Sequence, residues 1–100
     1  VSDFVLYQNY PNPFNPVTTI KFSIPSNVKP SLSAGKSETS NVKLIVYDLL
    51  GNEVATLVNE DKSPGEYEVT FDGSSLASGI YFYRLTAGSL SQVRKLVLLK

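Results

Sequence analysis

The sequence has 100 residues, of which 42% are apolar and 11% aromatic, enough to bury a core and too many for a disordered segment. Nine basic residues balance nine acidic ones, so no surplus positive charge exists to hold a phosphate backbone, and nucleic-acid binding is not expected. His and Cys are both absent, which removes the usual zinc and transition-metal ligands, the Ser-His and Cys-His nucleophile pairs, and disulfides.

The dominant hydrophobic period is two, the signature of strands covered on one face. Residues 4–7 form a weak first candidate. Residues 10–16 hold three prolines within six positions, Pro11, Pro13 and Pro16. Each proline lacks an N–H and drives its predecessor to extended backbone, so this reads as a stiff, non-helical connector. In residues 17–24, Ile20, Phe22 and Ile24 share one face and Thr19, Lys21 and Ser23 the other. Residues 26–41 carry five serines with Pro30 and Gly35. They are too polar to bury and too long for a hairpin turn, which predicts a surface insertion.

Residues 42–48 place Val42, Leu44 and Val46 on one face. Gly51 and Asn52 then predict a tight turn into a second weak strand over residues 53–58. Val54, Leu57 and Val58 would also fit one helical turn, but the stretch is short and sits in a hairpin context. Residues 67–72 alternate Tyr67, Val69 and Phe71 against Glu68, Thr70 and Asp72. Residues 80–86 set Ile80 and Phe82 opposite Tyr81, Tyr83 and Leu85, and residues 93–99 are a near-continuous apolar run, which predicts a strand covered on both sides. Turns fall at Ser63-Pro64-Gly65 and Asp72-Gly73-Ser74-Ser75. The sum is an all-β fold: an Ig-like β-sandwich of about seven antiparallel strands with a polar insertion at 26–41, residues 1–100 making one domain. No apolar run approaches the roughly 20 residues of a membrane helix. The first residue is Val1 rather than Met, which reads as part of a longer polypeptide, so a missing signal peptide carries no weight against export.

Candidate chemistry is sparse, and neither a cofactor nor a metal site is expected. Glu60 and Asp61 beside Lys62 read as solvated turn charges. The stretch from Asp48 to Glu53 is only a fragment of a calcium loop. No Ser stands in a nucleophile elbow, and Gly65, Gly73 and Gly79 are too scattered to cradle phosphate. The six tyrosines raise a sugar-binding reading, but rings in a small sandwich mostly fill the core. Leu76-Ala77-Ser78-Gly79-Ile80-Tyr81 resembles a tyrosine corner, in which Leu76, Gly79 and Tyr81 have structural roles and the Tyr81 hydroxyl bonds back to upstream backbone.

Several ordered motifs then match one family. Phe4-Val5-Leu6-Tyr7-Gln8-Asn9-Tyr10-Pro11-Asn12-Pro13-Phe14-Asn15-Pro16, followed by Thr18-Thr19-Ile20, resembles the opening of type A C-terminal sorting domains of the type IX secretion system. Val46-Tyr47-Asp48-Leu49-Leu50-Gly51-Asn52-Glu53-Val54, Pro64-Gly65-Glu66-Tyr67, Leu76 to Leu85, and Lys95-Leu96-Val97-Leu98-Leu99-Lys100 resemble later blocks of that family in order. The resemblance covers residues 4–25 and 42–100, and the polar insertion is the departure from the family pattern.

The resemblance implies a non-catalytic role at the C-terminus of an exported protein in Bacteroidetes-like bacteria. The implied partners are an outer-membrane secretion translocon, a surface sorting peptidase and an N-terminal passenger in the same parent chain. The passenger folds in the periplasm and travels to the cell surface or the extracellular space. The implied recognition element is the final strand: Lys95 and Lys100 for charge, Leu96, Val97, Leu98 and Leu99 for core packing or strand addition. Much of that strand is expected in the core. Exposed edges permit pairing between copies, although no sequence feature demands it. The opening motif also resembles the Ig-like domain of flagellar hook-capping proteins, which would make this an assembly module. A carbohydrate-binding accessory module is a third reading, and it requires exposed aromatics clustered on one sheet face.

Overall fold

The computed structural model describes residues 4–25 and 40–100, so the part of the polar insertion at 26–39 lies outside the described residues. Seven strands run through the described residues: β1 (Val5–Leu6), β2 (Val17–Ile24), β3 (Ser40–Tyr47), β4 (Glu53–Lys62), β5 (Gly65–Asp72), β6 (Gly79–Ala87) and β7 (Leu90–Leu98). Every pairing between them is antiparallel. They form a three-stranded sheet in the order β1-β2-β5 and a four-stranded sheet in the order β4-β3-β6-β7. The protein is an all-β sandwich, as the period-two pattern predicts.

The core is built from the inward residues of both sheets. Ile20, Phe22 and Ile24 of β2 meet Val42, Leu44 and Val46 of β3, Tyr81, Tyr83 and Leu85 of β6, and Leu96 and Leu98 of β7, all buried. With no cysteine to form a disulfide, this burial is the principal stabilising term, at about 1.5–3 kcal/mol for each large side chain. Phe71 of β5 packs against Phe14 at a ring-centroid distance of 5.9 Å.

Three local expectations change. The weak strand over residues 53–58 is a ten-residue edge strand, β4. Two register shifts against β3, at Leu44/Ile45 and Val46/Tyr47, interrupt its alternation, which is why its pattern is faint in sequence. Glu60, Asp61 and Lys62 therefore end a strand rather than form a turn. The 26–41 insertion is shorter than its composition suggests, because Ser40 and Asn41 already pair with Lys62 and Asp61. Ser23, on the face opposite Ile20, Phe22 and Ile24, is also buried, at 1% exposure.

The β3–β4 turn is centred on Leu49 and Leu50, just before the expected Gly51-Asn52. Asp48 organises it. One carboxylate oxygen accepts from the Leu50 and Asn52 amides, both at 2.9 Å. Gly51 sits at φ +88°, a left-handed backbone that glycine adopts without steric cost. In the proline-rich connector ahead of β2, the Tyr10–Pro11, Asn12–Pro13 and Asn15–Pro16 peptide bonds are cis.

Candidate recognition surface

β7 lies at an edge of the four-stranded sheet, hydrogen-bonded to β6 on one side. Its alternation separates the six C-terminal residues. Leu96 and Leu98 are fully buried, Val97 is half-buried, and Lys95, Leu99 and Lys100 are exposed, Leu99 by 53%. Val93 is also 49% exposed, so the apolar run is not covered on both sides as its composition suggests. The physical reason is topology: the four-stranded sheet has one partner sheet, on its inner face. Its outer face carries Ile80 and Phe82 of β6 in register with Val97 and Lys95 of β7.

The outer backbone edge of β7 is already bonded. The Phe14 amide donates to the Val97 carbonyl at 3.0 Å, and the Leu99 amide donates to the Phe14 carbonyl at 2.9 Å, a short parallel bridge. The Asn12 side chain accepts from the Val97 amide at 3.0 Å, and the Gln8 amide group donates to the Lys95 carbonyl at 2.7 Å. Farther along, the Gln92 side chain acts as a surrogate strand for β1, accepting from the Leu6 amide at 2.9 Å and donating to the Phe4 carbonyl at 3.0 Å. Arg94 donates to the Leu6 carbonyl. The N-terminal residues thus clasp the C-terminal strand, and Phe14 anchors the clasp in the core at 1% exposure.

A buried polar network holds the clasp. The Tyr83 hydroxyl accepts from the Asn9 amide and donates to the Tyr7 carbonyl, both at 2.8 Å. The buried Asn9 side chain donates to the Pro11 carbonyl at 3.2 Å and to the Thr18 hydroxyl at 3.1 Å, and Thr18 donates to the same carbonyl at 2.9 Å. No buried side-chain polar atom among the described residues lacks a partner, as a network of this kind requires. Burial pushes the Tyr83 phenol above its ordinary range, against smaller opposing pulls from the Asn9 amide and the Arg94 charge.

The residues around the C-terminus have defined partners. The Lys100 amide donates to the Ser78 hydroxyl at 3.0 Å and its ammonium to the Ser74 carbonyl at 2.6 Å. The Tyr81 hydroxyl donates to the Ala77 carbonyl at 2.7 Å. Leu76 packs against the core, and Gly79 opens β6. Gly73 is buried against Leu98 and Phe14, and a Cβ there would lie 3.2 Å from the Leu98 side chain.

The acidic residues are structural where they are engaged. Backbone amides, of Asn52 foremost at Asp48 and of Ser74 at Asp72, hold both carboxyls below their ordinary range. No cluster of three or more acidic residues placed to bind a metal occurs among the described residues, and no helix there is long and apolar enough to cross a membrane.

Sequence reasoning singled out the C-terminal strand but missed the residues that clasp it, namely Gln8, Asn9, Asn12, Phe14, Gln92 and Arg94. Their contacts span 74 to 88 positions for the Asn9–Tyr83, Gln92–Phe4 and Arg94–Leu6 pairs, and no local period encodes such a distance. Asparagines placed between prolines were the one available hint.

The family model for the secretion system C-terminal sorting domain matches residues 8–99. No curated protein matches the chain. Among solved structures, the sensor domain of the anti-sigma factor RsgI4 from Pseudobacteroides cellulosolvens is similar, with a TM-score of 0.62 and 11% identity, covering 100% of this chain and 78% of that one. At that identity the likeness is one of fold.

Proposed function

The chain belongs to the family of secretion-system C-terminal sorting domains, the type IX sorting tails, and from that membership we propose how it acts on its parent protein. A sorting tail of this kind implies a passenger-bearing parent chain, a secretion machinery, and delivery to the cell surface or extracellular space. In our reading, residues 1–100 are one non-catalytic domain that the outer-membrane translocon recognises after the passenger has folded in the periplasm. A surface sorting peptidase then acts on the delivered protein.

The observation that supports this reading is the rigid display of the last strand. Leu96 and Leu98 anchor it in the core, Lys95, Val97 and Leu99 alternate onto its outer side, and Lys100 is exposed just past its end with its ammonium on the Ser74 carbonyl. The clasp occupies the backbone edge over residues 95–99, so we assign recognition there to side chains rather than to an added strand. Tyr81 with Leu76 and Gly79 serves as the tyrosine corner that fixes the entry into β6.

Deleting residues 95–100 would remove two core leucines and unfold the domain, so a sharper test leaves the core intact. Lys95→Glu with Lys100→Glu, introduced into the full-length parent, should leave the passenger in the periplasm while the urea midpoint of the isolated domain stays near wild type. Normal surface delivery of that variant refutes the assignment of recognition to these side chains.

A further inference from the structure

The outer face of the three-stranded sheet carries a groove to which the sorting reading assigns no role. Tyr7 lies beside Lys21, its amide donating to the Lys21 carbonyl at 3.0 Å, and Lys21 pairs in register with Glu68. One row along, Tyr10 and Thr19 exchange two backbone hydrogen bonds of 3.0 Å. The groove consists of two hollows. One of about 550 Å³ includes Tyr7, Lys21, Glu66 and Glu68 in its wall. The other, of about 380 Å³, is lined by Gln8, Tyr10, Thr19, Lys21 and Glu68. They are neighbours, with Lys21 and Glu68 lining both.

The two tyrosines differ from the rest. Tyr67, Tyr81 and Tyr83 donate their hydroxyls to backbone carbonyls, and the Tyr47 ring lies against Arg84. Tyr7 is 44% exposed and Tyr10 81% exposed, and neither ring contacts another ring or a cation among the described residues. Their backbones are nonetheless pinned, Tyr7 by the Tyr83 hydroxyl and Tyr10 by Thr19. With the backbone pinned, binding has only the two side-chain torsions of each ring left to order. Lys21, Glu66 and Glu68 form no ion pair or side-chain hydrogen bond within the described residues, so their donors and acceptors face solvent unpaired.

We propose that this groove binds a neutral glycan chain, with Tyr7 and Tyr10 stacking on sugar faces and Lys21, Glu66 and Glu68 hydrogen-bonding the hydroxyls. A sugar presents C–H groups on its face and hydroxyls at its rim, and the groove offers rings on one side and charged hydrogen-bonding groups on the other. Two carboxylates against one ammonium disfavour polyanions such as uronate polymers or nucleic acid. The exposed rings meet the condition set above for a carbohydrate-binding surface, and the site touches β7 through Gln8, whose side chain donates to the Lys95 carbonyl.

The test titrates the 100-residue chain, ¹⁵N-labelled, with cellohexaose, xylohexaose, mannohexaose and laminarihexaose, and with polygalacturonate. The expected result is that at least one neutral hexasaccharide shifts the amide signals of Tyr7, Gln8, Tyr10, Thr19, Lys21 and Glu68. Tyr7→Ala with Tyr10→Ala should weaken that binding at least about tenfold, as should Glu68→Ala, which keeps both rings should the tyrosine variant misfold. Leu50→Ala, on the β3–β4 turn, should leave it unchanged. Absence of binding by every neutral glycan at millimolar concentration overturns the proposal. So does a preference for polygalacturonate, or binding that survives in the Tyr7/Tyr10 and Glu68 variants. Occupancy of the groove by an extended peptide in place of sugar also overturns it. Passenger delivery is read separately, so failure here leaves the sorting reading intact.

Discussion

Removing the Tyr83 hydroxyl tests the clasp that links the two ends of the chain. Tyr83→Phe keeps the ring in the core, where the residue is 0% exposed, and deletes one atom that serves two backbone partners. The Asn9 amide bonded to it is buried, and stranding a buried donor costs about 1–3 kcal/mol. The Tyr7 carbonyl is only part-buried, and water can reach it, so losing that bond costs about 1 kcal/mol. The sum is about 2–4 kcal/mol, a large share of the roughly 5–15 kcal/mol that holds a domain together. It corresponds to a fall in Tm of about 10–25 °C for a domain of this size. Urea denaturation followed by circular dichroism measures the loss, and hydrogen exchange at Asn9 locates it. The substitution also alters the alkaline limb. Because burial raises the folded-state pKa of Tyr83, its contribution is fully present below the unfolded phenol pKa of about 10 and is lost as pH rises through the folded value. Tyr83→Phe should therefore flatten the decline in stability above pH 10. A loss under about 0.5 kcal/mol with unchanged exchange at Asn9 would refute the idea that this hydroxyl holds the clasp.

Tyr81→Phe removes one bond, to the carbonyl of the exposed Ala77, and should cost about 1 kcal/mol in urea denaturation, clearly less than Tyr83→Phe. Gly73→Val would push side-chain atoms into Leu98 and Phe14, with an expected loss of about 1–3 kcal/mol from overpacking; an unchanged midpoint would show that Phe14 is not held there. Asp48 and Asp72 have depressed carboxyl pKa values, so their contribution is present above the unfolded value near 4 and is lost as pH falls through the folded values. Asp48→Asn with Asp72→Asn should therefore flatten the acid limb of stability below about pH 4 in urea midpoints, and an unaltered acid limb would rule out both turns as its source.

The strands with one covered face were the legible part. Ile20, Phe22 and Ile24 declare β2, because a sandwich repeats its inward residues every second position; β6 is apolar on both faces in sequence, and only the structure selects Tyr81, Tyr83 and Leu85 as its buried side. Where that condition fails, the pattern fades. β4 is bulged against β3 and lies at an edge, so Val54, Leu57 and Val58 mimic a helical turn. The end of β7 runs Leu96-Val97-Leu98 into Leu99 without a polar residue, yet among the described residues no second sheet covers its outer side, and Val93 and Leu99 remain exposed. Apart from Tyr81, whose corner motif marks it, the tyrosines looked alike in sequence, although Tyr67 and Tyr83 also give their hydroxyls to the backbone and Tyr7 and Tyr10 stand in the open groove.

The sequence by itself determined the fold class, the strand set, the absence of histidine and cysteine chemistry, and the family. All of these rest on local alternation, composition and short ordered motifs. Only the tertiary structure decided that residues near Phe4 to Phe14 close the edge of the last strand, that Asn9 is buried at 2% exposure, and that Tyr7 and Tyr10 flank a charged groove. Those features join groups far apart in the chain. A hydrogen bond spanning most of the chain leaves no period or spacing to read, and it exists only once the two sheets have packed together.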